Sequence, residues 1–358
     1  MIHDAPHRPI RVLHVVKSLG LGGTEKAMQL MASHLDRDRF EPIVFSFAAG
    51  ERGPLLRAAG VATHVGGDLL AVAGKLRPDI IHVHRAGWPE PALLRAIKLA
   101  RAKVVVETNV FGRHDPSPQS AVIDCILFIS HFCLTRYAAT TGIEVGAPRH
   151  RVLYYPVDTD FFESAAAPRD FSLPVAGRLS RADPGKWSRL AFDIAPLLAA
   201  KIPGFRYRVI GAIPEFKAFI SEHGLTSQVE YLEPVATDAG LASFFSGVSL
   251  LAHANDTGES FGLAIAEAMS AGLPVVTHPA EGLRDNAQLE LVEHGVTGLV
   301  AGSAEEYAGA VAWLFAHPDR AWAMGQAGKA KAQKLFRAQA IARQLETIYL
   351  DLLAGVRA

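Results

Sequence analysis

The stretch RVLHVVKSLGLGGTE occupies residues 11–25 and contains a complete strand-to-helix junction. Its first six residues form a short apolar run of the kind found in a fully buried strand. Glycines follow, and residues 24–38 then carry the apolar spacing of a helix. A buried strand, a glycine turn and a helix in this order open a βαβ unit. The stretch therefore predicts an α/β fold built on a parallel sheet.

Strand-like runs alternate with helical patterns through the rest of the chain. The first half continues with EPIVFSF, DIIHVH, KVVVET and CILFIS, and the second half restarts with LPVAGR, YRVIGA, VEYLE, VSLLAH and LPVVTH. These two series predict two doubly wound, Rossmann-like domains facing each other across a cleft. The predicted segments are a flexible N-terminus at 1–9, a first domain at 10–157, a Pro-, Asp- and Ala-rich linker at 158–170, a second domain at 171–335, and a C-terminal helix at 336–358 that crosses back to the first domain.

Length and composition bound the class of protein. The 358 residues exceed one usual domain, and 49% apolar against 20% charged residues indicates a globular chain. A formal net charge of zero argues against a nucleic-acid binder that relies on a broad basic field. Cys125 and Cys133 lack metal-ligand spacing and are expected to be buried thiols. Without a signal peptide or a run of about 18 apolar residues, a cytoplasmic location is expected.

The glycines after the first strand do not fit a dinucleotide-binding fingerprint. With Gly20 and Gly22 in the first two places, the third falls on Glu25. No acidic residue ends the second strand either, so NAD binding is disfavoured. Gly22 and Gly23 at a helix N-terminus still allow a phosphate or a sugar to approach backbone amides. A tight turn without a ligand is the alternative interpretation.

The stretch GRLSRADPGKW, residues 177–187, follows the first strand of the second domain. Arg178 has a planar guanidinium and Lys186 carries a point charge, and both are suited to hold a diphosphate. Two exposed cations near a helix start that contact only solvent are the alternative.

The stretch GESFGLAIAEAMSAG, residues 258–272, places two carboxylates around a predicted helix N-terminus. If Ser260 caps a helix that runs to about Ala271, the amides near Phe261, Gly262 and Leu263 form an anion site. Glu259 lies just before this helix and Glu267 two turns inside it, a spacing suited to the sugar and ribose hydroxyls of a nucleotide sugar. One Glu that favours the helix N-terminus and another on a solvated face are the alternative.

These motifs together resemble the retaining nucleotide-sugar glycosyltransferases of family 4, which have the GT-B fold. The resemblance rests on GGTEKA, GRL with its following lysine, ESFGLAIAEAMSAGLPVV and EHGVTGLVA, and it extends from Arg11 to the last helix. It implies that Arg178 and Lys186 hold the donor diphosphate, that Glu259 contacts the donor sugar and Glu267 the ribose, and that Gly23 approaches the donor phosphates.

Two further loops of the first domain carry polar residues at predicted strand ends. In ETNVFGRHD, residues 107–115, many members of the resembled family carry a histidine, whereas this chain has Thr108 and Asn109. Asn109 can hydrogen-bond a sugar hydroxyl but does not take a proton at neutral pH, which puts a catalytic base in this loop in doubt. In IHVHRAGW, residues 81–88, His84 is suited either to acceptor binding or to a structural role.

The expected reaction is transfer of a hexose-type sugar from a nucleoside diphosphate sugar to a hydroxyl of a glycan or lipid-linked acceptor, with retention of configuration. Neither a cofactor nor a metal ion is expected, because cationic side chains and helix amides are assigned to the diphosphate. Asp158 and Asp160 spell a DxD metal motif, but within the linker chance explains it better. A sugar-nucleotide 2-epimerase and a non-catalytic nucleotide-sugar sensor are the alternative functions.

Peripheral contact with a membrane is the remaining alternative. The basic positions Arg95, Lys98, Arg101 and Lys103 either favour an anionic membrane surface at the inner face of the membrane or form a solvated helix edge.

Overall fold

The computed structural model describes residues 8–282 and 284–357, and the chain divides into two compact units. Unit 1 consists of Met1–Pro156 and Ala338–Ala358, and unit 2 of Val157–Arg337. Most of the predicted flexible N-terminus, residues 1–7, lies outside the described residues.

Unit 1 is built on a seven-stranded sheet with the strand order β3-β2-β1-β4-β5-β6-β7, in which all paired strands are parallel. Its strands are β1 (Ile10–Ser18), β2 (Phe40–Ala48), β3 (Ala62–Val65), β4 (Ile80–Arg85), β5 (Val104–Asn109), β6 (Cys125–Phe128) and β7 (His150–Val152). Its helices are α1 (Gly23–His34), α2 (Arg52–Ala58), α3 (Leu69–Leu76), α4 (Pro91–Ala100), α5 (His131–Thr141) and, from the end of the chain, α14 (Ala338–Arg357).

Unit 2 has a six-stranded parallel sheet with the order β10-β9-β8-β11-β12-β13. Its strands are β8 (Val175–Leu179), β9 (Arg206–Ile210), β10 (Val229–Leu232), β11 (Leu250–Ala252), β12 (Val275–Thr277) and β13 (Gly298–Val300). Its helices are α6 (Thr159–Ser164), α7 (Arg189–Lys201), α8 (Pro214–Glu222), α9 (Asp238–Ser246), α10 (Leu263–Ser270), α11 (Gln288–Leu291), α12 (Ala304–Ala316) and α13 (Pro318–Phe336).

Both sheets reverse their winding direction once, and this places the loops that matter. In unit 1 the reversal lies between β1 and β4, and in unit 2 between β8 and β11. Doubly wound sheets bind ligands outside the carboxyl ends of the strands at such a switch point. The loops after β1, β4, β8 and β11 are therefore the places where the fold itself favours a site.

Serine side chains cap helices in both units, which explains why these helices begin where they do. Ser130 caps α5, Ser188 caps α7 and Ser303 caps α12, each accepting a hydrogen bond from a backbone N–H three residues later. Gly142 then ends α5 in the left-handed conformation, at φ 70°, which glycine adopts without strain.

The segment predicted as a linker is not a bare connection. Residues 158–170 fall within unit 2 and include α6, whose first turn is capped by the Asp158 carboxylate. Asp160 forms a bidentate ion pair with Arg337 at 2.8 to 3.1 Å. Both carboxylates of the DxD sequence thus have structural partners within unit 2, which agrees with its interpretation as a chance match.

The cysteine prediction is confirmed, since Cys125 and Cys133 are both buried thiols that form no disulfide. No helix within the described ranges is long and apolar enough to cross a membrane.

Candidate active site

Polar side chains of the 177–187 and 258–272 stretches gather with residues that follow β11 at the switch point of unit 2. Arg178 lies near the end of β8, and the residues after β11 supply His253 and Asn255. A 3₁₀ turn, Pro184–Lys186, brings in Lys186, and the loop before α10 brings in Glu259. One set of polar groups is therefore assembled from segments up to about 80 residues apart.

Arg178 is fully buried rather than solvated, with 1% of its surface exposed. Its guanidinium donates to the carbonyl oxygens of Ala254 (3.1 Å) and Lys186 (2.6 Å) and to Oδ1 of Asn255 (3.2 Å), and it stacks on the Trp187 ring at 4.1 Å. Burial lowers the pKa of this guanidinium. These contacts connect strand β8 to the two loops that carry Lys186 and Asn255. The Nε–H of Arg178 has no hydrogen-bond partner among the described residues.

The Glu259 carboxylate is the centre of a hydrogen-bonded group. Its Oε1 accepts from Nζ of Lys186 at 3.2 Å, from Nε2 of His253 at 3.2 Å and from the amide of Asn255. No bond to its Oε2 is formed among the residues that the structure describes. One carboxylate oxygen is thus held by the protein, which leaves the other to accept hydrogen bonds from a ligand.

This environment fixes the protonation states of the group. Burial opposes ionisation of Glu259, but the charge of Lys186 and the His253 hydrogen bond outweigh it and lower the pKa of Glu259 to about 2. Burial also lowers the pKa of His253, so its imidazole is neutral at pH 7. A carboxylate only accepts, so Nε2 of His253 carries the proton and its Nδ1 accepts from the Thr277 hydroxyl, 3.0 Å away.

The helix after Glu259 begins later than predicted. Its first residue is Leu263 and its N-cap is Gly262, at φ 100°, with no side-chain cap, so the expectation that Ser260 caps it is wrong. A φ of this sign strains every residue with a Cβ, and a Cβ on Gly262 would also lie 3.3 Å from Ile265. The first helical amides, including that of Leu263, have no intrahelical acceptor and still form an anion-binding end.

The remaining residues predicted in the donor site lie within or beside α10. Glu267 is 3% exposed, so it does not lie on a solvated face. Phe261 is a core residue whose ring meets that of Phe336 edge to face, with centroids 5.2 Å apart. Any contact of Phe261 with a donor therefore has to come from its backbone.

Three predicted residues belong to unit 1. Gly23 is the first residue of α1. Asn109 is 2% exposed. Its side-chain amide donates to the carbonyl oxygen of Arg113 at 2.8 Å and accepts from the Arg113 N–H at 3.1 Å, so it stabilises the loop that follows β5. His84 is buried on β4 beside His14, with Nε2 of His84 and Nδ1 of His14 3.1 Å apart.

Three buried histidines of unit 1, His14, His82 and His84, have ring nitrogens close enough to be considered as metal ligands, within 4.8 Å of one another. Both nitrogens of His82 already have partners, Tyr349 at 2.6 Å and Thr108 at 2.7 Å. The rings of His82 and His84 stack at 4.2 Å with their planes 26° apart, so their in-plane lone pairs do not converge as tetrahedral ligation requires. The contacts favour a neutral hydrogen-bonded network.

Sequence reasoning missed three polar residues of the unit 2 site. His253 and Asn255 bond Glu259 through their side chains, and the Gln288 side chain accepts from the Glu259 backbone N–H at 3.0 Å. His253 is the last residue of the predicted strand VSLLAH and Asn255 lies two residues beyond it, so polar residues at the end of a buried strand were the available signal. Gln288 gave no comparable signal.

Parts of the chain are similar in sequence to known glycosyltransferases. Residues 171–317 match the family model described as glycosyl transferases group 1. The GDP-mannose-dependent α-(1-6)-phosphatidylinositol monomannoside mannosyltransferase of Mycobacterium tuberculosis is 29% identical over 242 residues, which cover 62% of this chain and 60% of that protein. The D-inositol 3-phosphate glycosyltransferase of Mycobacterium avium is 34% identical over 199 residues, covering 51% of this chain and 44% of that protein. The chain thus spans less than two thirds of the length of these relatives.

Solved structures share the fold over almost the whole chain. Anabaena HepE in complex with UDP and glucose superposes with a TM-score of 0.78 at 20% identity, covering 96% of this chain and 100% of that one. A glycosyltransferase from Rickettsia africae gives 0.77 at 17% identity, covering 97% and 99%. The predicted GT-B fold is confirmed, because the two parallel sheets match these neighbours, and residues 171–317 form a domain that matches the group 1 glycosyl transferases.

Proposed function

We propose that the protein transfers a sugar from a nucleoside diphosphate sugar to a hydroxyl of a glycan or lipid-linked acceptor, with retention of configuration. The observation that carries the proposal is the Glu259 carboxylate, which is ionised, held through one oxygen and placed just before the amide end of α10. Its second oxygen accepts hydrogen bonds from hydroxyls of the donor sugar. The GDP-mannose dependence of one relative and the UDP bound to HepE support a nucleotide-sugar donor.

In this proposal the chemistry is electrostatic. As the glycosidic bond breaks, negative charge builds on the departing diphosphate, and the Lys186 ammonium and the first amides of α10 stabilise it. Glu259 uses one of the three N–H donors of Lys186, and the other two remain for phosphate oxygens. Because no second carboxylate is assigned near the anomeric carbon, we favour attack of the acceptor hydroxyl on the same face as the leaving group over a covalent glycosyl intermediate.

The test begins with a thermal-shift screen against UDP-, GDP- and ADP-sugars, because a ligand that binds the native state raises its apparent stability. The stabilising donor is then incubated with candidate acceptors. Release of the nucleoside diphosphate together with a new glycoside whose NMR spectrum shows the donor's anomeric configuration supports the proposal. An epimerised donor formed without acceptor, or binding without turnover, contradicts it.

Turnover is expected to be independent of divalent metal ions. The groups assigned to the diphosphate are the Lys186 ammonium and the helix amides, and Asp158 and Asp160 already serve as a helix cap and an ion-pair partner. Incubation with EDTA should therefore leave kcat unchanged. Loss of activity that magnesium or manganese restores would contradict the electrostatic scheme.

Glu267 is proposed to accept hydrogen bonds from the ribose hydroxyls of the donor. A hydrogen bond to a charged group is worth about 1.5 to 3 kcal/mol, so Glu267→Ala should weaken nucleoside diphosphate binding roughly tenfold or more. The 2′-deoxynucleotide should bind weakly to wild type and lose little more in the variant. Calorimetric titration of both proteins with both nucleotides gives the coupling energy of this double-mutant cycle.

Because Glu267 is buried, Glu267→Gln serves as the variant that best preserves the packing of α10. A coupling energy near zero in a variant that remains folded would falsify the ribose role.

We also propose that the protein acts in the cytoplasm, at the inner face of the membrane where its acceptor is lipid-linked. Two buried thiols that form no disulfide, Cys125 and Cys133, are typical of a reducing compartment. Fractionation of cells that express the tagged protein, with and without a high-salt wash of the membranes, tests this location.

A further inference from the structure

A cavity of about 550 Å³ opens at the switch point of unit 1, between the ends of β1 and β4. Its volume lies within the range of small-molecule sites, roughly 300 to 1,000 Å³, and its position is the one that this sheet topology favours for a ligand. All residues that line the cavity belong to unit 1, whereas the Glu259 group belongs to unit 2.

The walls of this cavity are apolar and its rim is aromatic. Valine and leucine side chains form much of the lining, including Val16, Val83 and Leu93. Phe47, Trp88 and Phe111 also line it, and they are 47%, 53% and 38% exposed. Three exposed aromatic side chains around one cavity are unusual for a surface that contacts only water.

Most polar groups of the lining are already used by the protein. Arg85 is paired with Glu107 and Asp115, each at 3.0 Å, and Glu25 accepts from the Ser18 hydroxyl at 3.0 Å. A sugar ring with several hydroxyls would find few free hydrogen-bonding groups here. An apolar group gives up no hydrogen bonds when it enters.

Three side chains of the lining keep polar groups for a ligand, and one of them is Glu90, whose exposed carboxylate forms, among the described residues, only a 3.7 Å ion pair with Arg85. Lys17 has no ion-pair partner within the described part of the chain, and the Nδ1 of the buried His84 has no hydrogen-bond partner there. The cavity therefore combines a large apolar surface with a small number of polar contacts, which is the complement of an amphiphile.

We propose that this cavity binds the apolar part of an amphiphilic acceptor, a single molecule whose hydroxyl-bearing head lies next to a hydrocarbon or aromatic group. The inference rests on the proposed function and decides between its two acceptor classes, in favour of the lipid-linked or otherwise apolar one. The aromatic rim contacts the apolar group, and Lys17 and His84 contact the head.

The test compares n-octyl glucoside, kept below its critical micelle concentration, with methyl glucoside by calorimetry on the full chain. Each methylene buried in the cavity should raise affinity by roughly fourfold, so the octyl compound should bind at least about tenfold more tightly. Equal affinities would overturn the proposal. So would binding to phosphatidylcholine vesicles without binding of the monomeric compound, because that result would mark a membrane surface.

Trp88→Ser tests the location, with Trp322→Ser as its matched control. Trp322 is similarly exposed, at 56%, and lies on α13 in unit 2. We expect Trp88→Ser to abolish the octyl-chain advantage and Trp322→Ser to retain it. Retention of the advantage in Trp88→Ser would contradict the assignment.

Titration with the nucleoside diphosphate separates the two hypotheses. If the nucleotide binds but the octyl chain brings no advantage, the cavity assignment fails while the proposed function stands. Failure of nucleotide binding in the folded protein would count against the proposed function itself.

Discussion

Lys186→Ala is expected to lower kcat by about 100-fold or more, with a much smaller loss of donor affinity. Nζ of Lys186 lies 3.2 Å from Oε1 of Glu259, and its side chain is 21% exposed, so it faces both the protein and the site. Charge on the leaving diphosphate is greatest in the transition state, and the ammonium therefore contributes more there than in the ground state. Steady-state kinetics of nucleoside diphosphate release, combined with calorimetric donor binding, measure the two effects separately.

Lys201→Ala provides the matched control, because Lys201 is an exposed lysine at the end of α7 in the same unit. Its kinetics should equal those of wild type. If Lys186→Ala also had wild-type kinetics, the 177–187 stretch would be a surface turn without a role in transfer.

The sequence predicted the buried strands of both sheets but not three of the edge strands. β3 and β7 are the two edges of the unit 1 sheet, and β13 is an edge of the unit 2 sheet. β3 is a half-exposed ATHV, and β13 has only the three residues GLV, which is shorter than the apolar runs of about four to eight residues that indicate a buried strand. Central parallel strands are buried on both faces and therefore have continuous apolar runs in the sequence. An edge strand needs no such run, because it forms by hydrogen bonding to the one strand beside it.

The candidate site was predictable where one short segment carries it and not where partners come from elsewhere. Glu259 and Lys186 were identified from their own motifs, but their contact joins residues 73 positions apart. The wrong prediction of Ser260 as the N-cap of α10 also results from contacts with residues distant in the sequence. Serine is a strong N-cap residue in isolation, yet the Gln288 side chain and the Ala287 N–H bond the backbone of Glu259. With this segment held by α11, the helix starts only after the left-handed turn at Gly262.

Arg178→Met is expected to lower the free energy of unfolding by about 3 kcal/mol and to lower kcat as well. The substitution keeps an apolar stem against Trp187 but removes three hydrogen bonds. Ala254 retains a second donor, the Ser188 hydroxyl at 3.2 Å, whereas Oδ1 of Asn255 and the Lys186 carbonyl lose theirs. Two orphaned acceptors cost about 1 to 3 kcal/mol each, and relief from burying a charge offsets part of that sum.

Arg189→Met is the control for this change, because Arg189 is an exposed arginine on α7 whose only ion pair is with Asp193, at i,i+4, among the described residues. Its effect on stability should stay within about 0.5 kcal/mol. Urea unfolding measures the stability of both variants, and kcat is measured well below their melting temperatures. Arg178 joins the two loops that supply Lys186 and Asn255 to Glu259, so a folded Arg178→Met protein should have a lower kcat because those donors are displaced. Unchanged unfolding in urea would show that the buried guanidinium does not hold the loops together, and unchanged kcat in the folded variant would exclude Arg178 from transfer.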